Sequence, residues 1–233
     1  MLMLGRGVIV GVLILISTSS FAQKYTRPSG ERLKVGGQFG ATSFQGDLGS
    51  RNFRNPVEYD FDARYGTKPG LGLVANYTFQ NIFGLRMSFL YSDIAGVRDE
   101  NWGKYSFEST INDIDVGGTI SAYDLFQLSR YQYTKGLKWL ARFDGLYYIS
   151  VGFSHSNPSF YSQNILINSL EINTFYGCTG VEISLFLNNQ TSVSVGSNVR
   201  VYTTDRMDGF KSGRDNDAIW YHYFRFSYQL FKK

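Results

Sequence analysis

The sequence predicts an all-β fold, an eight-stranded antiparallel transmembrane β-barrel of outer-membrane type with a side-chain-filled lumen. Three observations lead there. Apolar and polar residues alternate with period two along eight segments, which is the periodicity of strands. No run approaches the ~18 apolar residues that mark a spanning helix, which excludes helical spans but not spanning strands. The connections on one rim are long and polar and most on the other are tight, the layout of an outer-membrane barrel.

The strands follow in order. Leu33, Val35, Phe39 and Ala41 alternate with Lys34, Gly36, Gln38 and Gly40 in the first. Leu71, Leu73, Ala75, Tyr77 and Phe79 mark the second, and Phe83, Leu85, Met87, Phe89 and Tyr91 the third. The fourth sets Ile114, Val116 and Ile120 against Asp113, Asp115, Thr119 and Ser121. The fifth sets Phe143, Tyr147, Ile149, Val151 and Phe153 against Arg142, Asp144, Ser150 and Ser154. The sixth, residues 170–186, is less regular, and a bulge is expected near residues 177–180. Val193, Val195, Val199 and Val201 define the seventh. Trp220, Phe224, Phe226, Tyr228 and Leu230 define the last, opposite Tyr223, Arg225, Ser227 and Gln229.

Residues 45–69, 94–108, 155–168 and 205–217 read as the long loops. Residues 80–82 and 188–190 read as tight turns, and 124–137 as a longer connection on the same rim. Both termini then fall on that short-turn, periplasmic side. Residues 1–22 have one cation, Arg6, then a short apolar run and small residues before Gln23. This is the pattern of a cleaved secretory signal peptide, leaving residues 23–233 as a single barrel domain. With 233 residues and a net charge of +4 the chain is too weakly basic for a dedicated nucleic-acid binder. Its single cysteine, Cys178, excludes an intrachain disulfide and a Cys-based zinc site.

The two faces could point either way. A soluble barrel would bury the apolar face, whereas a transmembrane barrel turns it toward lipid. The bulky, nearly charge-free apolar faces favour lipid. So do aromatics near strand ends, expected as interfacial girdles: Phe44, Phe79, Phe83, Tyr91, Phe107, Tyr123, Phe126, Trp139, Tyr202 and Trp220. The mid-strand charges then fall inside. Lys34, Arg86, Arg142, Arg200 and Arg225 are expected to pair there with Asp113, Asp115, Asp144 and Glu182, because unpaired buried charges cost several kcal/mol each. Inward glycines such as Gly36, Gly40, Gly70 and Gly72 would make room for these long chains. The expected barrel is plugged, without a diffusive pore.

Catalytic, cofactor and metal motifs are not recognised, and the reading is of a non-enzyme. His155-Ser156-Asn157 is similar to the His-x-Ser-Asn motif of outer-membrane lipid A deacylases. Its spacer is missing, and adjacent strand residues point to opposite faces. The carboxylates around residues 205–217 lack calcium-loop spacing and are neutralised by Arg206, Lys211 and Arg214. His222 reads as an interfacial or packing residue.

Three segments carry a family resemblance. Phe44-Gln45-Gly46-Asp47-Leu48, Thr204-Asp205-Arg206-Met207-Asp208 and Trp220-Tyr221-His222-Tyr223 resemble, in order and position, the F-x-G-D-L, T-D-x-x-D and W-Y-x-Y segments of a Bacteroidetes outer-membrane barrel family, the PorG type of the type IX secretion system. The F-S-P-Y segment expected before the fifth strand is absent. The resemblance implies a non-enzymatic subunit in the outer membrane of a Gram-negative bacterium, surrounded by lipid. It also implies contact with a periplasmic ring of the lipoprotein PorK and PorN. The surfaces it implies include residues 23–32 and 124–137, where Arg130, Tyr131, Tyr133 and Lys135 are candidate partner contacts. Cys178 is a further candidate contact.

Overall fold

The structure, a computed structural model, describes residues 32–45, 67–79, 82–100, 103–126, 142–163, 165–204, 206–207 and 216–232. Its strands are β1 (Arg32–Gln45), β2 (Lys68–Phe79), β3 (Phe83–Glu100), β4 (Gly103–Ser121), β5 (Phe143–Ser162), β6 (Ile165–Ser169), β7 (Ile172–Phe186), β8 (Thr191–Tyr202) and β9 (Ala218–Lys232). One helical turn, α1 (Ala122–Leu125), follows β4. Each strand pairs antiparallel with its sequence neighbour, except that β6 and β7 pair in turn with β5 and not with each other. β1 pairs with β9 and β4 with β5, so eight strands close on themselves. Closure satisfies the strand-edge amides that a bilayer would leave without partners. The short β6 pairs with the end of β5 on the same edge and in the same register as β7, so it extends the β7 wall upward past residues 170–171.

Alternation sorts the side chains. Phe39, Leu71, Leu73, Leu85, Met87, Val116, Ile149, Val151, Phe175, Ile183, Phe224 and Phe226 point outward and are exposed, forming an apolar belt. Arg86, Asp113, Asp115, Glu182, Arg200 and Arg225, on the opposite parity, are buried inside. In water this would be an inverted protein, with its greasy surface outside and its charges at the centre. In a bilayer it is the arrangement that transfer energies require.

Three expectations are corrected. Nearly all the described residues in the loops expected at 94–108 and 155–168 are strand: β3, β4 and β5 run for 18, 19 and 20 residues. A spanning strand needs only about 9–11, so this wall continues past the belt. It remains ordered strand because inward Ile94, Phe107, Ile111 and Phe160 keep packing there, while outward Thr110, Asn112, His155 and Asn157 turn polar. The bulge expected near residues 177–180 is absent, since β7 keeps continuous register with both β5 and β8. Register shifts occur instead at Leu33/Lys34 and at Phe160/Tyr161.

The third correction concerns the girdles. Phe83, Tyr91 and Phe126 are exposed, and Phe79 and Trp220 half-buried. Phe44, Phe107 and Tyr202 are instead buried, because they share parity with the inward face, and Tyr123 is buried in the helical turn that follows β4. Residues 1–22, Trp139, Gly46, Asp47, Leu48, Asp205 and Asp208 lie outside the described residues, as do Arg130, Tyr131, Tyr133 and Lys135.

Candidate functional site: the barrel interior

The interior is layered. Near the end of β8, Arg200 reaches across the lumen to β4. Its Nη1 is 2.5 Å from Asp113 Oδ2 and its Nη2 3.7 Å from Asp115 Oδ2. Tyr202 donates its hydroxyl to Asp113 at 2.8 Å. Ser88 and Tyr176 donate theirs to Asp115 at 2.5 and 3.2 Å. One arginine thus lies between two aspartates, and three hydroxyls spread the remaining negative charge.

The next layer has the reverse composition. Glu182 on β7 pairs with Arg225 through Oε1, and its Oε2 is 3.6 Å from Arg86 Nη1. Tyr223 and Ser184 donate to the same carboxylate at 2.9 and 3.0 Å. The Arg86 guanidinium lies over the Tyr148 ring, 4.0 Å from its centre, a favourable cation–π arrangement in a desolvated site. Asn198 donates to the Tyr148 hydroxyl at 2.9 Å. One layer carries an excess acid and the next an excess base, so together they balance.

Toward the end opposite the termini the lumen changes character. Phe44, Ile94, Phe107, Ile111, Phe160, Tyr202, Met207 and Ile219 form a buried apolar cluster. Met207 belongs to the β8–β9 connection, yet it is fully buried. Its N–H donates to Asp217 Oδ2 at 2.7 Å, and Ser156 donates its hydroxyl to the Met207 sulfur at 3.4 Å. The connection therefore dips a side chain into the barrel mouth and fixes it there.

Three expected network members lie outside these two layers, Lys34 and Asp144 on the inward parity at the terminal end of the lumen. Arg142 precedes β5 and is exposed, so it does not share the lumen layers. Lys34 is half-buried with its ammonium 4.2 Å from the centre of the Phe186 ring. Asp144 is buried near the terminal end, where it accepts from the Ser121 hydroxyl at 2.8 Å and the Tyr123 N–H at 3.1 Å. Cys178 corrects another expectation. It is buried inside the wall and free, facing the lumen rather than any surface a partner could touch.

The tyrosines Tyr148, Tyr176, Tyr202 and Tyr221, with Met207, were missed as interior residues, whereas Tyr223 was already placed on the Arg225 face. Parity could have found the tyrosines: Tyr148 shares it with Asp144, Tyr176 with Glu182 and Tyr202 with Arg200. The glycines serve them more than the charges. A Cβ on Gly152 would stand 2.4 Å from the Tyr176 ring, on Gly180 2.5 Å from Tyr148, and on Gly196 2.5 Å from Tyr223.

His155 and Ser156 diverge. His155 Nδ1 contacts Asn173 Oδ1 at 3.0 Å on the outside, while the Ser156 hydroxyl points into the apolar cluster. A nucleophile and its base must share a hydrogen bond, and these two are on opposite sides of the wall.

No protein-family model matches the chain, and the search of curated proteins finds no match. Solved structures do match. Neisserial surface protein A is similar at 8% identity over 87% of this chain and 100% of the other, with a TM-score of 0.52. A major outer membrane protein from Thermus thermophilus is 13% identical over 85% of this chain and 99% of the other, TM-score 0.47. OprG from Pseudomonas aeruginosa is 10% identical over 88% and 97%, TM-score 0.46. At such identities the likeness concerns the fold alone, and the first of these carries it. The chain is a closed eight-stranded antiparallel β-barrel, the fold it shares with Neisserial surface protein A.

Proposed function

We propose that this chain is a non-enzymatic outer-membrane barrel, exported with a cleaved signal peptide, that acts as a closed anchor for other proteins. The observation that carries the reading is sidedness: a continuous apolar exterior around a lumen of buried ion pairs. A filled lumen capped by Met207 favours a scaffold over a channel, and the divergence of His155 and Ser156 speaks against a lipid hydrolase. In its finer form the anchor is a PorG-like subunit of type IX secretion holding a PorK/PorN ring. That form rests on the motif resemblance at Phe44, Met207 and Trp220–Tyr223, and on the aromatic-basic segment around Arg130, Tyr131, Tyr133 and Lys135. Deleting residues 128–136 and purifying the barrel from its native outer membrane tests it. The expected result is loss of co-purifying ring proteins, and unchanged co-purification contradicts it. Conductance of porin size in planar bilayers contradicts the closed lumen.

A second reading, a small surface barrel of the OmpX kind with an adhesive role, is favoured by the β3–β5 wall that extends past the belt. Whole-cell proteolysis that cleaves this wall while sparing the belt would support it.

A further inference from the structure

The apolar belt carries an imidazole. The outward residues of β9 run Trp220, His222, Phe224, Phe226, Tyr228 and Leu230. His222 is exposed, and its ring stacks on Trp220 with centres 6.4 Å apart. Opposite it in register are Ser197 on β8 and Ala41 on β1. Toward the Met207 end, Trp220 lies beyond His222, and Val199 and Val201 lie beyond Ser197 on the same outward face. Toward the termini follow Phe224 and Val195, both exposed. His222 and Ser197 are thus enclosed within the belt. On a strand rising ~3.3 Å per residue and tilted by ~40°, His222 lies about 5 Å deeper than Trp220.

Ionisable side chains in spanning segments nearly always face a protein interior or a cavity. Thr179, also on the outer wall, donates its hydroxyl to the Tyr147 hydroxyl at 3.1 Å. Among the described residues the side chains of His222 and Ser197 have no such hydrogen bond. Lipid tails supply none, so leaving both groups against hydrocarbon is unfavourable. Neutral imidazole and hydroxyl each offer a donor and an acceptor. The two side chains are also neighbours, about 5 Å apart as cross-strand partners. A two-fold axis along the membrane normal and between them exchanges left and right at constant height, setting His222 of each barrel against Ser197 of the other. The strand tilt offsets the two by only about 3 Å in height. Ala41 and Ser197 are small, which lets the walls approach closely at that point. We infer that two copies of this chain associate in the membrane through the β8–β9–β1 wall, with reciprocal His222–Ser197 hydrogen bonds at the centre of the contact.

The inference rests on the membrane placement proposed above, and the test separates the two. The mature chain, labelled at Asn157→Cys in a Cys178→Ser background, is reconstituted in two colours into phosphatidylcholine vesicles over a series of lipid-to-protein ratios. Heat-modifiable gel migration reports the inserted barrel, and single-molecule colour coincidence reports association. Coincidence is expected above random co-occupancy and to fall on lipid dilution. His222→Phe and Ser197→Ala are each expected to raise the dimer dissociation constant about tenfold. One variant in each colour keeps one of the two contacts, so the mixed pair is expected to lose only about threefold. Both side chains point outward, so both variants are expected to keep their heat-modifiable migration. Random co-occupancy at every ratio, a dimer indifferent to either substitution, or a mixed pair as weak as the single variants overturns the inference alone. A His222-dependent complex with a different protein, purified from native outer membranes with one copy of this chain, gives the wall to that partner and also overturns it. Failure of the wild-type chain to insert overturns the membrane reading and this inference with it.

Discussion

Arg200 and Asp113 meet at 2.5 Å although they sit on β8 and β4, strands that are not neighbours in the ring. The pair spans the lumen as a strut. Glu182 does the same between β7, β9 and β3. The barrel is therefore held by its hydrogen-bonded wall and also by charge contacts across its width, while the bilayer contributes no apolar core of the usual kind.

Among the described residues, Glu182 is the one carboxylate contacting both Arg225 and Arg86 in that layer. Glu182→Gln keeps the shape and removes the charge, leaving two buried arginines without it. A loss of about 3–5 kcal/mol is expected, measured by urea unfolding of the barrel in lipid vesicles. Replacing Glu182, Arg86 and Arg225 together by Leu, Met and Leu is expected to recover most of it, because an apolar isostere of a buried ion cluster is close to neutral.

The glycines give a paired comparison. Gly152→Val would put its Cβ against the Tyr176 ring and the Ile114 carbonyl, so a loss of at least about 1–3 kcal/mol is expected from overpacking. Gly177→Ala, on the same wall but facing outward with nothing within 4 Å, is expected to leave the unfolding midpoint unchanged.

Met207 closes the apolar cluster at the barrel mouth. Met207→Ala is expected to cost about 2–5 kcal/mol as a cavity, read as a lower urea midpoint. Asp217→Asn, which weakens the acceptor for the Met207 N–H, is expected to loosen the same connection and speed its cleavage by added protease.

Much of this was legible in the sequence. Period-two alternation located the eight barrel strands, and the parity of Arg86, Asp113, Glu182, Arg200 and Arg225 placed them inside. What it did not reveal has physical causes. The apolar upper lumen was hidden because Phe44, Phe107 and Tyr202 at strand ends look identical whether they meet lipid headgroups or one another. Met207 was hidden because a connection that folds into a barrel has no periodicity. The strand character of the upper parts of β3, β4 and β5 was hidden because their outward face is polar, as water above a membrane requires. Arg142 was misjudged because it lies just before its strand, and the partner contact considered for Cys178 fails because it sits on the inward parity.

Charge placement on the outer wall should depend on height. Val151→Arg, in the belt and 69% exposed, is expected to lose about 2–4 kcal/mol in vesicles. Asn157→Arg, also outward but above the belt, is expected to change the unfolding free energy by less than about 0.5 kcal/mol.

The sidedness itself is measured most directly by collision of spin labels with oxygen and with a water-soluble nickel chelate. In a Cys178→Ser background, labels at Val151→Cys and Phe224→Cys should collide with oxygen and be shielded from nickel, while a label at Asn157→Cys should show the reverse. Strong nickel collisions at Val151 and Phe224 in a bilayer would mean that the apolar wall faces water, and the account would be wrong.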